Sequence, residues 1–383
     1  MRIGFLLSSF YPLTGGREVI TFSLARELAK RGHKVHVFTT LKDNLQKEET
    51  IEGIHIHRTK TLFQYKYYLE FNPGWLKNVL KYKLDILHIQ SFGFIMADLA
   101  LLLEKTLHGT KMVNTPHGPF MALNKYPFWQ ELLKKTYTAI EYPINNLYDA
   151  VIQVNPEQEK WMIKKGVRKE NIRLIPNSIP SDMFLKVSNN RFMEKYHLNN
   201  KLVISYLGRI QKYKGLDQVI SVLPVIVKKH KNTLFLAIGK DAGDVERLRN
   251  LVNKLGVNKN VIFTGQLSHE DKLRALDISE ISVLPSEWEA FGIGILESMA
   301  RGNAIISTKT EGGKFLVKDG INGYLYDYKD TNALKKHVLK LIEDNKARKT
   351  IINNNLKMAK NYTTEKITDE LEKLYQELLK VGH

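Results

Sequence analysis

Residues 285–300 read Pro285-Ser286-Glu287-Trp288-Glu289-Ala290-Phe291-Gly292-Ile293-Gly294-Ile295-Leu296-Glu297-Ser298-Met299-Ala300. An apolar run ends at Pro285, a glycine-containing loop follows, and Leu296 to Arg301 reads as helix. Two carboxylates, Glu289 and Glu297, bracket the turn with seven residues between them. Glu289 falls in the loop, where it can reach a ligand's hydroxyls. Glu297 falls on the helix behind it, about two turns along at roughly 3.6 residues per turn. The free N–H groups at a helix start suit an anion. Amides for phosphate beside carboxylates for hydroxyls fit a nucleotide sugar. By spacing alone, two solvated surface glutamates beside a tight turn is the favoured reading, and the neighbouring motifs reverse it.

Working outward, short apolar runs alternate with helical patterns along the whole chain, which is how stacked β-α units and parallel sheets read. The first half predicts strands at Ile3–Leu7, Val35–Thr39, Ile54–Arg58, Ile86–Ile89, Met112–Thr115, Ala150–Val154 and Arg173–Ile175. Helices are predicted over 17–31, 71–82, 95–108, 128–147 and 156–165. A turn-rich connector with two prolines, Pro176-Asn177-Ser178-Ile179-Pro180-Ser181-Asp182, then interrupts the rhythm. The second half predicts strands at Val203–Leu207, Leu234–Ile238, Val261–Phe263, Ile281–Leu284, Ala304–Ser307 and Tyr324–Tyr326. Its helices fall at 215–229, 245–255, 269–276 and 295–301, and three more, over 332–344, 347–360 and 364–381, close the chain. The expectation is α/β: two Rossmann-like doubly wound domains, 1–180 and 181–362, with 363–383 as a C-terminal helix returning to the first. Sheets of this kind bind ligands beyond the strands' carboxyl ends, so one ligand between facing domains is expected.

With 383 residues, 43% of them hydrophobic, the chain is long enough for two cores. No apolar run reaches the roughly 18 residues of a membrane span, and the N-terminal apolar stretch is too short for a signal peptide. The absence of cysteine removes disulfides, thiolate catalysis and Cys-ligated zinc. A cytoplasmic location is expected. The net charge of +18 is spread evenly, 25 basic against 17 acidic residues in 1–185 and 33 against 23 in 186–383. Nothing here has the form of a basic nucleic-acid arm, and no nucleic-acid motif accompanies it. Anionic membranes and phosphorylated substrates remain compatible partners.

Other residues could carry chemistry. After the first strand, Gly15-Gly16 leads into a helix, where a glycine pair lets backbone amides approach an anion, or simply forms a turn. The first strand of the second half runs into Gly208-Arg209-Ile210-Gln211-Lys212-Tyr213-Lys214-Gly215. Arg209 can fork onto phosphate oxygens and Lys214 can act as a point charge on a departing diphosphate. His117, in Thr115-Pro116-His117-Gly118, ends another strand. No Asp-x-Asp pair is present to hold a divalent ion. His55-Ile56-His57 is read as placing its two rings on opposite faces of a strand. No metal and no cofactor are therefore expected; a nucleotide sugar would be a co-substrate.

Together these motifs resemble glycosyltransferase family 4, retaining transferases of the GT-B fold. Residues 208–215 resemble the family's Gly-Arg…Lys-Gly phosphate loop, 285–302 its Pro-Ser…Glu-x₇-Glu block, and Asp319-Gly320-Ile321-Asn322-Gly323 its closing turn. The resemblance implies that Arg209 and Lys214 hold a diphosphate, Glu289 the donor sugar and Glu297 the ribose. It also implies Gly15, Gly16 and Gly208 near phosphate, Gly265-Gln266-Leu267 along the nucleobase, Phe291, Gly292 and Ile293 at the donor, and His117 near the reacting carbon. Ala290 stands where Gly is usual, Asn303 where Pro is common, and Lys314–Lys318 is a shortened loop without the usual Glu.

The implied activity is transfer of a hexose or related sugar from a UDP- or GDP-linked donor to an acceptor hydroxyl. A nucleotide-sugar epimerase or hydrolase of the same fold, and a non-enzymatic nucleic-acid binder, are the alternatives. Residues 62–83 and 119–142 mix aromatics with lysines. They suit either helix cores or an anionic membrane surface carrying a lipid-linked acceptor, with the protein peripheral on the inner face of the plasma membrane.

Overall fold

The computed structural model describes residues 1–12, 15–42, 44–65, 69–118 and 126–380. The chain divides into two compact units: residues 1–178 with 364–383, and residues 179–363. Phe120 and residues 66–68 of the aromatic stretches lie outside the described residues.

The first unit runs β1 (Arg2–Leu6), α1 (Gly16–Lys30), β2 (Lys34–Thr40), β3 (Glu48–Ile51), β4 (Ile54–Thr59), β5 (Phe63–Tyr65), β6 (Leu69–Phe71), α2 (Pro73–Lys81), β7 (Ile86–Ile89), α3 (Ile95–His108), β8 (Lys111–Asn114), α4 (Phe128–Asn145), β9 (Ala150–Gln153), α5 (Glu159–Lys164) and β10 (Ile172–Leu174). Its sheet has the order β10-β9-β8-β7-β1-β2-β4-β3, parallel except where β3 meets β4, and the order reverses between β1 and β7. β3 and the β5–β6 hairpin have no counterpart among the predicted strands. Glu48 and Glu49 hide β3 behind a polar edge, and three-residue strands are too short to show a period.

The second unit contains α6 (Asn190–Lys195), β11 (Leu202–Leu207), α7 (Leu216–Lys229), β12 (Thr233–Ile238), α8 (Val245–Lys254), β13 (Val261–Gly265), α9 (His269–Asp277), β14 (Ser279–Leu284), α10 (Ile293–Ala300), β15 (Ala304–Thr308), α11 (Glu311–Leu316), β16 (Gly323–Tyr326), α12 (Thr331–Glu343) and α13 (Asn345–Ala359). All neighbouring strands pair parallel in the order β13-β12-β11-β14-β15-β16, reversing between β11 and β14. Continuous apolar strands such as β12, buried at every position, are what a sheet covered on both faces requires. Ile204, Phe235, Ile281 and Ile306 form the centre of its core with Val219 and Leu223 of α7. Ser268, Asp330 and Asp344 cap α9, α12 and α13 through their side-chain oxygens.

A last helix, α14 (Thr364–Lys380), belongs to the first unit. Arg31, just after α1, pairs with Asp369 at 2.7 Å and Glu372 at 3.0 Å. The Tyr375 hydroxyl, fully buried, meets His88 Nδ1 at 2.6 Å.

The histidine motif needs correction. Residues two apart on a strand share a face, and the rings of His55 and His57 both lie 5.2 Å from that of His36 on β2. His36 Nδ1 and His57 Nε2 are 2.9 Å apart. Among the described residues no group of three or more His, Cys, Asp or Glu is placed to hold a metal ion.

Between α3 and α4, two carboxyls are buried. The Tyr137 hydroxyl donates to Asp98, and the Gly93 amide donates to Glu141 Oε1 at 2.6 Å. Burial pushes Asp98 up to about 7 against the pull of that Tyr137 bond. Burial, then the Asp98 charge, pushes Glu141 up to about 8, against the Gly93 amide and Lys165. The unfolded chain releases these protons near pH 4, whereas the folded chain keeps them until about pH 7–8. Their contribution to stability is thus fully present below about pH 4 and is lost as pH rises through the folded values. Each proton in this window is worth about 1.4 kcal/mol per pH unit. Urea unfolding from pH 4.5 to 8.5 should show this decline. The isosteric Asp98→Asn/Glu141→Gln protein should show a flatter profile and higher stability at pH 8.

Candidate active site

In the second unit the order of strands reverses between β11 and β14, and the loops leaving these two strands are joined. The chain leaves β11 through Gly208 and Arg209, returns at Ile210, whose amide donates to the Lys240 carbonyl, and makes a turn over Lys212–Lys214. Gly215, at φ +69°, ends the turn and caps α7. The Glu287 amide of the β14 loop donates to the Tyr213 carbonyl at 2.8 Å, and Gln218 Nε2 of α7 donates to the Pro285 carbonyl at 2.8 Å.

These bonds place Lys214 Nζ 2.5 Å from Glu289 Oε1, which also accepts from Ser286 Oγ at 2.8 Å. Burial pulls the Lys214 ammonium down, but the Glu289 carboxylate outweighs it and holds Lys214 above the ordinary lysine range. Arg209 is exposed and forms no ion pair among the described residues, while its carbonyl accepts from the Tyr206 hydroxyl at 2.9 Å. The second carboxylate is paired as well: Glu297 Oε1 lies 2.5 Å from Lys272 Nζ of α9. The site therefore holds three cations against two carboxylates, with Arg209 uncommitted.

α10 starts at Ile293, two residues earlier than the sequence predicts, because Gly292 at φ +82° turns the loop directly into the helix. Glu297 is thus little more than one turn in. Gly294 brings α10 against the end of β11: a Cβ there would lie 2.6 Å from the Leu207 carbonyl oxygen. Phe291 is buried against the rings of Phe315 and Tyr362, so only its main chain is left for a ligand. Gly265 ends β13 at φ +68°, accepting from the Gly239 amide at 3.0 Å, with Gln266 and Leu267 following at that edge.

In the first unit, Gly15 and Gly16 begin α1, but the helix supplies its own anion. Glu18 stands in its first turn and accepts from Ser9 Oγ at 2.5 Å and Arg17 Nη2 at 3.1 Å. Burial raises Glu18; the Arg17 charge and the donors outweigh it, leaving Glu18 below the ordinary range. His117 follows β8 at φ +55°, with Nε2 2.9 Å from Gln90 Oε1. Burial, then the Arg17 charge, holds His117 down to about 3 against the pull of Glu18, so its ring is neutral at neutral pH.

A family model described as Glycosyltransferase Family 4 matches residues 14–182, and one described as Glycosyl transferases group 1 matches residues 188–358. The chain belongs to glycosyltransferase family 4. This family 4 chain is 24% identical to N-acetyl-alpha-D-glucosaminyl L-malate synthase of Bacillus anthracis, over 97% of its own length and 96% of that protein's. It is 30% identical to the capsular polysaccharide biosynthesis glycosyltransferase CapM of Staphylococcus aureus, over 60% of this chain and 62% of CapM. Among solved structures, sucrose-phosphate synthase from Thermosynechococcus elongatus matches at TM-score 0.83 and 20% identity, with 99% of each chain covered. Anabaena HepE in complex with UDP-glucose matches at 0.78 and 19%, covering 98% of this chain and 100% of HepE. The fold is GT-B, built from two Rossmann-like units, and the protein is a glycosyltransferase.

Within this glycosyltransferase, Arg209, Lys214, Gly208 and Glu289 gather where the second sheet reverses. Glu297 sits on the adjoining helix, and Gly265-Gln266-Leu267 lies two strands away from β11. Gly15, Gly16 and His117 belong to the other unit. Sequence reading missed Lys272, Ser286, Arg17, Glu18 and Gln90. Ser286 lies inside the Pro-Ser motif and Glu18 two residues past the glycine pair; nothing in sequence spacing marks Lys272 or Gln90. Ala290 has no positive φ, so the missing glycine there leaves the backbone unstrained. Asn303, in place of proline, is buried and donates to the Leu276 and Ser279 carbonyls.

The joint between the two loops can be tested at Gly215, where a Cβ would lie 2.2 Å from the Pro285 carbonyl oxygen. Gly256 has nearly the same φ, +68°, with nothing within 4 Å of an added Cβ. Gly256→Ala should lower stability by about 1–2 kcal/mol, the left-handed backbone penalty alone. Gly215→Ala should lower it further and loosen the Lys214–Glu289 contact. Parallel thermal melts of the two variants check this.

Proposed function

We propose that this glycosyltransferase moves a hexose or related sugar from a UDP- or GDP-linked donor to an acceptor hydroxyl with retention of configuration. The observation that carries the reading is the grouping of Arg209 and Lys214 at the carboxyl end of β11 with Glu289 from the loop after β14, at the reversal of strand order. Arg209 is free to fork onto a diphosphate, and Lys214 can turn from Glu289 toward the phosphate that carries the growing charge. Glu289, released, accepts from donor-sugar hydroxyls, and Glu297 serves the ribose beside Lys272. The main chain at Gly265-Gln266-Leu267 meets the nucleobase, and that of Gly292 and Ile293 the donor.

With Glu289 given to the donor-sugar hydroxyls and Glu297 to the ribose, no carboxylate is assigned as nucleophile, and a front-face path accounts for retention without one. In that path the leaving phosphate oxygen takes the acceptor's proton as the new glycosidic bond forms and the old one breaks. His117, neutral, acts by hydrogen bonding rather than as a charge. With two fixed cations on the diphosphate, no metal is required. UDP-glucose in the HepE structure supports a nucleotide-sugar donor.

A thermal-shift screen of UDP-, GDP- and ADP-sugars tests the donor, since binding to the folded state raises apparent stability. A UDP- or GDP-sugar should raise the melting temperature. Arg209→Ala and Lys214→Ala should each lower turnover by roughly 10²–10³ with the fold kept. Near-normal turnover in either would remove that residue from the diphosphate site. Excess EDTA should leave turnover intact, and NMR of the product should show the donor's anomeric configuration. Inversion would refute the retaining mechanism.

The acceptor proposed is lipid-linked, met at a membrane surface. No described helix is long and apolar enough to cross a membrane. Phe63, Phe128, Trp129 and Leu132 are nevertheless exposed, Phe128 at 85%, and the Tyr65 and Trp129 rings lie 5.8 Å apart, joining the hairpin to α4. Trp75 and Val79, by contrast, are core. Aromatics at headgroup depth with nearby lysines suit an anionic surface. Co-sedimentation with phosphatidylglycerol liposomes at low salt is expected; its absence would leave a soluble acceptor.

A further inference from the structure

We propose that a buried hydrogen-bond chain from the last helix, Tyr375–His88–Thr115, acts with Gln90 to position His117 and fix which of its ring nitrogens carries the proton. The catalytic consequence rests on the reading of His117 as a neutral hydrogen-bonding group; the chain rests on the first unit's geometry alone.

His88 is on β7 and Gln90 follows that strand by one residue, so the two share a face of the sheet. Thr115 and His117 leave the neighbouring strand β8 with the same spacing, and each member of the first pair holds one of the second. His88 Nε2 lies 2.7 Å from Thr115 Oγ1, and Gln90 Oε1 lies 2.9 Å from His117 Nε2. The main chain keeps the strands in step here: the Thr115 amide donates to the Ile89 carbonyl at 2.9 Å and the Gln90 amide to the Leu6 carbonyl at 3.0 Å. Behind His88, the Tyr375 hydroxyl of α14 closes the chain at 2.6 Å. The rings of Phe5, 5.3 Å away, and Tyr375, edge-on at 6.0 Å, confine the imidazole.

The chain has a direction. Burial pushes the Tyr375 hydroxyl well above the ordinary tyrosine range, so it keeps its hydrogen, and His88 Nδ1 is its acceptor. Burial, then the His117 charge, holds His88 down to about 3, so that ring is neutral. A neutral imidazole that accepts at Nδ1 carries its proton at Nε2, and His88 therefore donates to Thr115 Oγ1. At the second rung an amide oxygen can only accept. His117 thus also carries its proton at Nε2, and its Nδ1 is left bare as an acceptor.

Two features favour positioning over simple packing. His117 stands at φ +55°, a strained conformation that persists only where its surroundings hold it. Gln90, 2% exposed, holds the ring with Oε1 while its buried Nε2 has no partner among the described residues. Apolar side chains would fill the same interior without these demands for hydrogen bonds.

The test is imidazole-nitrogen NMR of the full chain with isotope-labelled histidine, in which protonated and bare ring nitrogens are resolved. His88 and His117 should both carry their proton at Nε2 at neutral pH. Thr115→Val and Tyr375→Phe should give His117 a mixture of tautomers, and Thr115→Ser should restore the single form. The second readout is release of nucleoside diphosphate from whichever UDP- or GDP-sugar raises the melting temperature. Thr115→Val and Tyr375→Phe should each lower kcat roughly tenfold at unchanged donor KM, the scale of one hydrogen bond. The double variant should be no slower than Thr115→Val, because both substitutions act through His88. A His117 proton at Nδ1 in the wild type, a single Nε2 form surviving in both variants, or additive losses of kcat would overturn the proposal. If no nucleotide sugar is bound or cleaved, the donor reading fails instead, and the imidazole signals still decide the positioning.

Discussion

The close approach of Gly215 to the Pro285 carbonyl is the constraint on which the second unit's site depends. β11 and β14 are hydrogen-bonded neighbours, yet their outgoing loops would diverge if each carried ordinary side chains at the crossing. Gly215 removes the obstacle on one side and Gly294 on the other, where α10 abuts the Leu207 carbonyl. The Glu287–Tyr213 and Gln218–Pro285 bonds then lock the loops together. Only after this does a lysine from one loop meet a glutamate from the other.

That meeting explains how cations and carboxylates coexist in a half-buried site. Lys214 and Lys272 would be poorly solvated alone, as would Glu289 and Glu297; paired, each offsets the other's burial. The pairs keep the lysines charged and pointed, while Arg209 stays free. The net charge of +18 is a property of the whole surface and has little to do with this balance. In the first unit the same logic appears at the start of α1, where Glu18 fills a helix terminus that the glycine pair alone would leave to an external anion.

Where the structure departs from the sequence reading, the reasons are local. The paired histidines of β4 share a face because strand side chains repeat every two residues, and His36 of the neighbouring strand gathers both. Phe291 lies inside the most informative motif but is turned inward by the aromatic packing of Phe315 and Tyr362. The exposed aromatics divide in the same way: Trp75 fills a core, and Phe128 does not.

The sequence by itself determined the alternation of strands and helices, the parallel sheets and the glycosyltransferase family. Continuous apolar strands, helical periods and glycine-marked turns are local signals, set by hydrophobic burial and backbone sterics within a few residues. It also singled out Arg209, Lys214, Glu289 and Glu297 one by one. Only the tertiary structure decided that Lys214 is held by Glu289, Glu297 by Lys272 and His117 by Gln90. Those contacts join residues 75, 25 and 27 positions apart through the packing of separate elements.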